Sequence, residues 1–271
     1  RRMFLNQTAV ETVVDLPDRV FADAQVKTCI FVCRKTALAP IREAQSIQIL
    51  EQTENQETFT PRLLRNIPQS AFLRTYKEIF DISISPETEQ IKDRVKSYGV
   101  PVGELFDVCF VLKTGDDEMF LHAGKIHPED KPLLRGDDIG RYEHEFKKEH
   151  VWYVPERMRR HRPTARPGEP WRFEQPKVLI KDTTTVFAGT FDDRNFYVKD
   201  VLIVVPRQGE LAPKIDLKAV LAMLNSKLLT FFYRTTFQTI HVQRNELASL
   251  PLARIDTPAS LALHDKLVAL V

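Results

Sequence analysis

The sequence predicts an α+β fold in which a mixed, mostly antiparallel β region is followed by helices. Three observations carry this expectation. From Val100 to Pro206 short apolar runs alternate with turn residues. Turn sequences such as Thr114-Gly-Asp-Asp and Phe191-Asp-Asp-Arg-Asn195 separate those runs. Beyond Pro213 the apolar spacing changes to threes and fours. At 271 residues the chain can form one large domain or two modest ones. Its 43% hydrophobic and 28% charged content reads as an ordinary soluble globular protein. No run of 18 apolar residues could cross a membrane as a helix, and Arg1-Arg-Met-Phe-Leu-Asn-Gln-Thr has no signal-peptide pattern.

The elements are expected in the following order. A helical start over Arg2 to Val10 leads into a strand over Glu11 to Pro17, and Lys27 to Arg34 forms a second strand. Ser46-Ile-Gln-Ile-Leu50 reads as a strand, and Glu51 to Thr58 as a turn or loop. From Pro68 the apolar residues Phe72, Tyr76, Ile79 and Phe80 are spaced for a helix. Another helix should follow Ser85-Pro86-Glu87, with serine as N-cap, proline at the first position and acids in the first turn. Leu105 to Leu112 forms a strand, and Met119 to His122 returns after the Thr114 turn. Lys177 to Lys181 alternates as a strand with one buried face, and Phe196 to Pro206 adds one or two more. Pro163 to Pro176 is a loop. Asp216 caps a helix whose apolar residues run from Leu217 through Leu224 and Leu228 to Phe232. Thr257-Pro258 opens a last helix, with Leu261, Leu267 and Leu270 available for packing.

Chemistry-bearing residues are weighed against their ordinary roles. Cys29, Cys33 and Cys109 lack zinc-site spacing and a complete disulfide set. Cys29 and Cys33 alternate with Phe31 on a strand and are expected to be small buried hydrophobes, as a reducing cytoplasm allows. Asp116-Asp117, Asp137-Asp138 and Asp192-Asp193 each fall in a turn, where aspartate bonds nearby backbone amides; a metal-dependent nuclease site is the alternative. The net charge of +2 does not argue for a polyanion partner, but Glu156 to Arg166 carries five arginines against one acid. Such a basic segment binds phosphates or is simply solvated. Arginine can make paired bonds to guanine, glutamine or asparagine to adenine, and threonine to a base or phosphate.

Four signatures occur in order: Phe110-Val-Leu-Lys-Thr-Gly-Asp-Asp117, Lys131-Pro-Leu-Leu-Arg-Gly-Asp-Asp-Ile139, Pro176-Lys-Val-Leu-Ile-Lys181 and Leu221-Ala-Met-Leu-Asn-Ser-Lys-Leu-Leu229. Together they resemble the target-recognition region of TaqI-like adenine-specific DNA methyltransferases of restriction–modification systems. His241 to Pro251 is similar to the turn and Leu-Pro ending that follow in that family. Residues 1–40, including the Val-Phe-x-x-Ala segment at Val20, resemble the last helix and closing β-hairpin of its Rossmann-like methyltransferase domain, so the chain reads as a piece of a longer protein.

The resemblance implies residues 1–40 as the end of the methyltransferase domain, 41–97 as a helical connector and 98–271 as a DNA target-recognition domain ending in helices. It implies duplex DNA and the upstream methyltransferase domain as partners, a cytoplasmic location, and S-adenosylmethionine as the parent enzyme's cofactor. The chain itself has no Asn-Pro-Pro-Tyr-type loop, and its nine glycines form no G-x-G, so catalytic and cofactor residues are expected elsewhere. The candidate DNA contacts are Arg135 and Arg141, which flank the Gly136 turn, and Arg159, Arg160 and Arg162 in the basic segment, expected to be a loop. Lys181 and Thr183, Thr184 and Thr185 follow the central strand, Arg194 lies in the next turn, and Gln243 and Arg244 in the later one. Asn225 and Ser226 are expected to pack the helix on the sheet. Besides the nuclease alternative, a protein-docking module would use exposed helix faces, with the basic segment incidental.

Overall fold

The computed structural model describes residues 1–17, 20, 28–53, 58–182, 186–207, 214–239 and 241–271. The chain divides into two compact units, Arg1–Glu89 and Gln90–Val271. No described helix is long and apolar enough to cross a membrane.

In the first unit the helix Arg2–Gln7 runs directly into β1 (Thr8–Asp15). Beyond it come β2 (Cys29–Lys35), β3 (Ser46–Glu51) and β4 (Arg62–Pro68). The sheet order is β2-β1-β3-β4, with β1 antiparallel to β2, parallel to β3, and β3 antiparallel to β4. Leu5, Val10, Val13, Ile47, Ile49, Ile67 and Phe72 form the core. The buried side chain of Gln69 ties the entry helix to the sheet. Its Nε2 donates to the carbonyls of Leu5 and Thr8, and its Oε1 accepts from the Val10 amide at 2.8 Å. A buried amide is stable only when satisfied in this way.

Three expectations change here. Cys29 and Cys33 are exposed, not buried. Among the described residues β2 is an edge strand paired only with β1, and of its side chains Phe31 turns inward to meet Phe4 and Phe80. Arg62–Pro68 forms a strand absent from the expected elements, because nearly every residue of this edge strand is exposed and no alternation marks it. The helix expected from Pro68 stops at Phe72 and gives way to a 3-10 turn, Tyr76–Glu78, with left-handed backbone at Lys77 and Glu78. Residues 21–27, which hold most of the Val-Phe-x-x-Ala segment, lie outside the described residues.

The helix Pro86–Tyr98 starts as expected, with the Ser85 hydroxyl accepting from the Thr88 amide and Glu87 and Glu89 in its first turn. The second unit then holds β5 (Gly99–Pro101), β6 (Phe106–Phe110), β7 (Leu121–Ala123), β8 (Asp130–Arg135), β9 (Glu149–Trp152), β10 (Lys177–Lys181), β11 (Gly189–Asp192), β12 (Tyr197–Lys199), β13 (Val201–Pro206) and β14 (Pro251–Ala253). One sheet is fully antiparallel, in the order β11-β10-β13-β6. Another, β12-β8-β9-β7, has a single parallel pair, β12 with β8. β14 and β5 form a small antiparallel pair. Leu112, Phe120, Leu133, Leu134, Val151, Leu179, Tyr197 and Ile203 draw both four-stranded sheets into one core. The fold is thus mixed α+β with antiparallel-rich sheets and helices toward the C-terminus. Met119–His122 does not return against β6: β7 pairs with β9 in the other sheet.

β10 departs from the one-sided pattern, since Lys177 to Ile180 are all buried. The second face is covered by the helix Leu217–Leu224, which contacts β10 and β11. The contact is close at Gly189, where an added Cβ would lie 3.3 Å from Leu221 Cδ1 of the helix and 2.4 Å from Ile180 Cδ1 of β10. Asp216 caps this helix as expected, accepting from the Lys218 amide at 2.7 Å. The helix does not run on to Phe232. It ends at Leu224, and a second helix, Lys227–Thr236, begins at an N-cap formed by Ser226. The break serves the sheet: the Asn225 side chain accepts from the Gly189 amide at 2.9 Å and donates to the Gly189 carbonyl at 3.0 Å. Asn225 and Ser226 therefore have the packing and capping roles expected of them. The last helix, Pro258–Leu270, is capped by Thr257, but Leu261 and Leu270 remain exposed.

Candidate nucleic-acid interface

The basic segment folds as a helix, Pro155–His161, rather than a loop. Its sequence suits this: proline stands at the first position, Glu156 in the first turn, and Arg159, Arg160 and His161 in the last, each matching the helix dipole. Met158 is the buried anchor, which leaves the arginines outward. Arg159 lies 3.9 Å from Glu169 and Arg162 lies 4.0 Å from Asp116, ion pairs too long for a hydrogen bond, and both arginine side chains are more than half exposed. Arg160 is exposed as well.

The other candidates differ in how far the fold has already engaged them. Arg135 forms a fork with Glu149, Nε and Nη2 each donating at 2.6 Å, and this carboxylate raises its pKa above the ordinary arginine value. Arg141 donates to the Asn225 carbonyl and lies over the Tyr142 ring. Lys181 is 3.7 Å from the exposed Asp137. Arg194 packs over Phe196 at 5.9 Å, its backbone amide donating to Asp192. Gln243 is the N-cap of the helix Arg244–Ala248 in a reciprocal arrangement with Glu246. Arg244 Nε donates to the Val108 carbonyl at 2.6 Å, covering the open edge of β6. Thr183, Thr184 and Thr185 lie outside the described residues. Arg159, Arg160 and Arg162 stand together on one short segment, while Arg135, Gln243 and Arg244 serve the fold.

The acidic pairs act in turns. Asp116 caps a short helix by accepting from the Met119 amide, and Asp138 accepts from the Arg135 amide and pairs with Lys147. Asp192 is fully buried; it accepts from the Arg194 and Phe196 amides and lies 2.5 Å from the ammonium of Lys177, itself fully buried. Among the described residues no three His, Cys, Asp or Glu side chains gather as metal ligands.

Sequence reasoning passes over Phe110, Lys113, Arg166 and Arg172, which border a cleft beside Arg159. Arginine density between 157 and 172 is a signal that could have drawn attention to Arg166 and Arg172. Nothing in the sequence marks Phe110 as exposed.

Residues 131–252 match the family described as the TaqI-like C-terminal specificity domain. Over this segment the chain is similar to a TaqI-like specificity domain. Residues 1–96 match the N-6 DNA Methylase family, so the specificity domain follows a methylase segment in the same chain. The specificity match takes in three of the four sequence signatures; the one at Phe110 lies upstream of it. No curated protein matches the sequence. Among solved structures, the type IIL restriction–modification enzyme MmeI in complex with DNA is similar at 11% identity and a TM-score of 0.51, over 97% of this chain and 38% of that one. The type IIG restriction endonuclease BpuSI is similar at 8% identity and a TM-score of 0.46, over 98% and 39%. An HsdS subunit from Thermoanaerobacter tengcongensis is similar at 12% identity and a TM-score of 0.35, over 68% and 42%. The likeness to MmeI is one of fold. The chain spans about two fifths of the length of these solved structures.

Proposed function

We propose that this chain reads duplex DNA sequence for an adenine-specific methyltransferase of a restriction–modification system, with residues 98–271 as the recognition part. The observation that carries the reading is the order of the two matches along the chain, a methylase family over 1–96 and a specificity-domain family over 131–252. The exposed guanidinium groups of Arg159, Arg160 and Arg162 support it, because phosphate contacts from such groups supply much of the affinity for DNA. Lys181, at the end of β10, and Thr183 to Thr185, which follow it in sequence, are the proposed base contacts. The parent enzyme uses S-adenosylmethionine, and its methyl transfer takes place in residues upstream of this chain.

The test is a gel shift of the purified chain with duplex DNA at low and moderate salt. Binding that weakens steeply with salt is expected. Absence of a shift even at low ionic strength would refute the reading. It would favour instead a protein-docking module, for which one observation speaks: an apolar groove of about 350 Å³ among Ile91, Val95, Tyr98, Leu228 and Pro251, with Tyr98 and Leu228 exposed.

A further inference from the structure

β6 is an edge strand, and its last residue, Phe110, is 61% exposed although the strand residues before it are largely buried. Two clefts meet at this ring. One is formed with Pro101, Arg244 and Ala248. The other, of about 440 Å³, is formed with Val111, Lys113, Arg159, Arg166 and Arg172. The ring is held from behind: the Arg244 guanidinium lies 5.8 Å from its centroid while Arg244 Nε is anchored on the Val108 carbonyl.

The second cleft is built in advance of any ligand. Lys113 and Arg166 exchange both backbone hydrogen bonds at 2.8 Å, fixing the loop after the basic helix against the end of β6. At the turn that follows, Gly168 has a φ of +74°, a conformation side-chain-bearing residues rarely adopt, and an added Cβ would press on the Phe173 ring at 3.0 Å. Four cations line the cleft against the single carboxylate of Glu169. Arg172 Nε is buried with no hydrogen-bond partner among the described residues. A buried donor without an acceptor is destabilising, and the Arg172 guanidinium adds its positive charge to a cleft suited to an anionic group.

Cations that hold phosphate beside an exposed aromatic ring are the two halves of a nucleotide site, since every base has a π-face to stack. Within an intact duplex both faces of a base are already covered by its neighbours, so this ring suits a base that has left the stack. Phe110 is paired with Leu202, and Leu202 with Ile180, which places the ring two strands, roughly 10 Å, from the end of β10 where base contacts are proposed. We infer that the cleft takes a nucleotide displaced from the duplex, its base against Phe110 and its phosphate against Arg172 and Arg159. The inference rests on the DNA-reading function proposed above and names the form of DNA that this part of the surface takes.

The test is fluorescence anisotropy of the whole chain at low salt with two duplexes of equal length, one fully paired and one with a single-nucleotide bulge. The bulged duplex is expected to bind about tenfold more tightly, within the roughly 5- to 150-fold that base–aromatic stacking contributes. Phe110→Ala should abolish that preference and leave affinity for the paired duplex within about threefold, while Phe110→Trp should keep the preference. Because Phe110 is mostly exposed, neither variant threatens the core. Equal binding of both duplexes by the wild-type chain, or a preference that survives Phe110→Ala, would overturn the inference and leave the DNA-reading proposal standing. Failure to bind either duplex would overturn both.

Discussion

Asp192→Asn is expected to be among the most destabilising single changes in the second unit. Lys177 and Asp192 have fully buried side chains 2.5 Å apart, on adjacent strands β10 and β11. Burial lowers the pKa of the Lys177 ammonium, and Asp192 opposes that shift. The asparagine would keep an acceptor for one of the two amides, Arg194 and Phe196, that Asp192 now serves. The ammonium would keep the Phe173 carbonyl as an acceptor but lose the opposite charge buried beside it. Breaking a buried pair by removing one partner costs about 3–5 kcal/mol, because an uncompensated charge remains. For a unit of this size each kcal/mol lowers Tm by roughly 2–4 °C, so a fall of about 6–20 °C is expected. Lys177→Met should cost less, since two amides still stabilise the carboxylate. The double variant should lose less than the two singles together, which isolates the pairwise coupling. Trp152 and Trp171, the chain's two tryptophans, both lie in the second unit, so urea unfolding followed by their fluorescence reports on it directly. An Asp192→Asn variant within about 1 kcal/mol of wild type would refute the reasoning.

Three further outcomes can be checked. Asn225→Ala should cost about 1–3 kcal/mol in the same urea assay, because it strips partners from the buried Gly189 amide and carbonyl. Burial pushes the Asp130 carboxyl upward, but the His127 and Ile126 amides and the His122 ring outweigh it and hold the pKa below the ordinary value. Its contribution to stability is therefore present above about pH 4 and lost as pH falls through the folded value, so Asp130→Asn should flatten the acid limb of a stability–pH curve while lowering stability at pH 7; an unchanged acid limb would count against it. Replacing Arg159, Arg160 and Arg162 with alanine should weaken duplex binding alike for all sequences and reduce the salt slope by about one unit for each phosphate no longer neutralised, read by titrations at several salt concentrations.

What could be read in the sequence was whatever is decided within a few residues. The Ser85-Pro86, Asp216 and Thr257-Pro258 helix starts are local, and so are the aspartates in turns, where the side chain bonds an amide two to four residues away. Decisions made at a distance were hidden. Nothing near Lys177 announces a carboxylate fifteen positions later, and a strand that begins and ends in lysine reads as half exposed. Asn225 breaks a helix whose apolar spacing continues unbroken to Phe232, because its partner is Gly189 on another element. Cys29 and Cys33 alternate like buried residues, yet an edge strand with one neighbour leaves them open. For the candidate interface the order of signatures located the domain, and charge density located the basic helix. The cleft at Phe110 needed three separate segments to meet, around residues 110, 166 and 172.

That division bears on how the basic surface works. Arginines placed by a loop would adapt to many phosphate positions, whereas those on Pro155–His161 are set by a proline start, the buried Met158 and the Lys113–Arg166 bridge just beyond. Fixed cations lose less conformational freedom on binding, and they also demand a fixed path for the DNA backbone. The sheet end holding Lys181 is tied to the same core through Leu179 and Ile203, so the proposed phosphate-holding and base-reading groups share one support. Substitutions that loosen the support, such as those at Lys177 or Asn225, should then blur recognition at the protein's working temperature even though neither residue is a proposed DNA contact. The measurement is site preference on a random-sequence duplex library, taken at a temperature where the variant is still fully folded. Unchanged preference in a clearly destabilised variant would show that support and reading are separable.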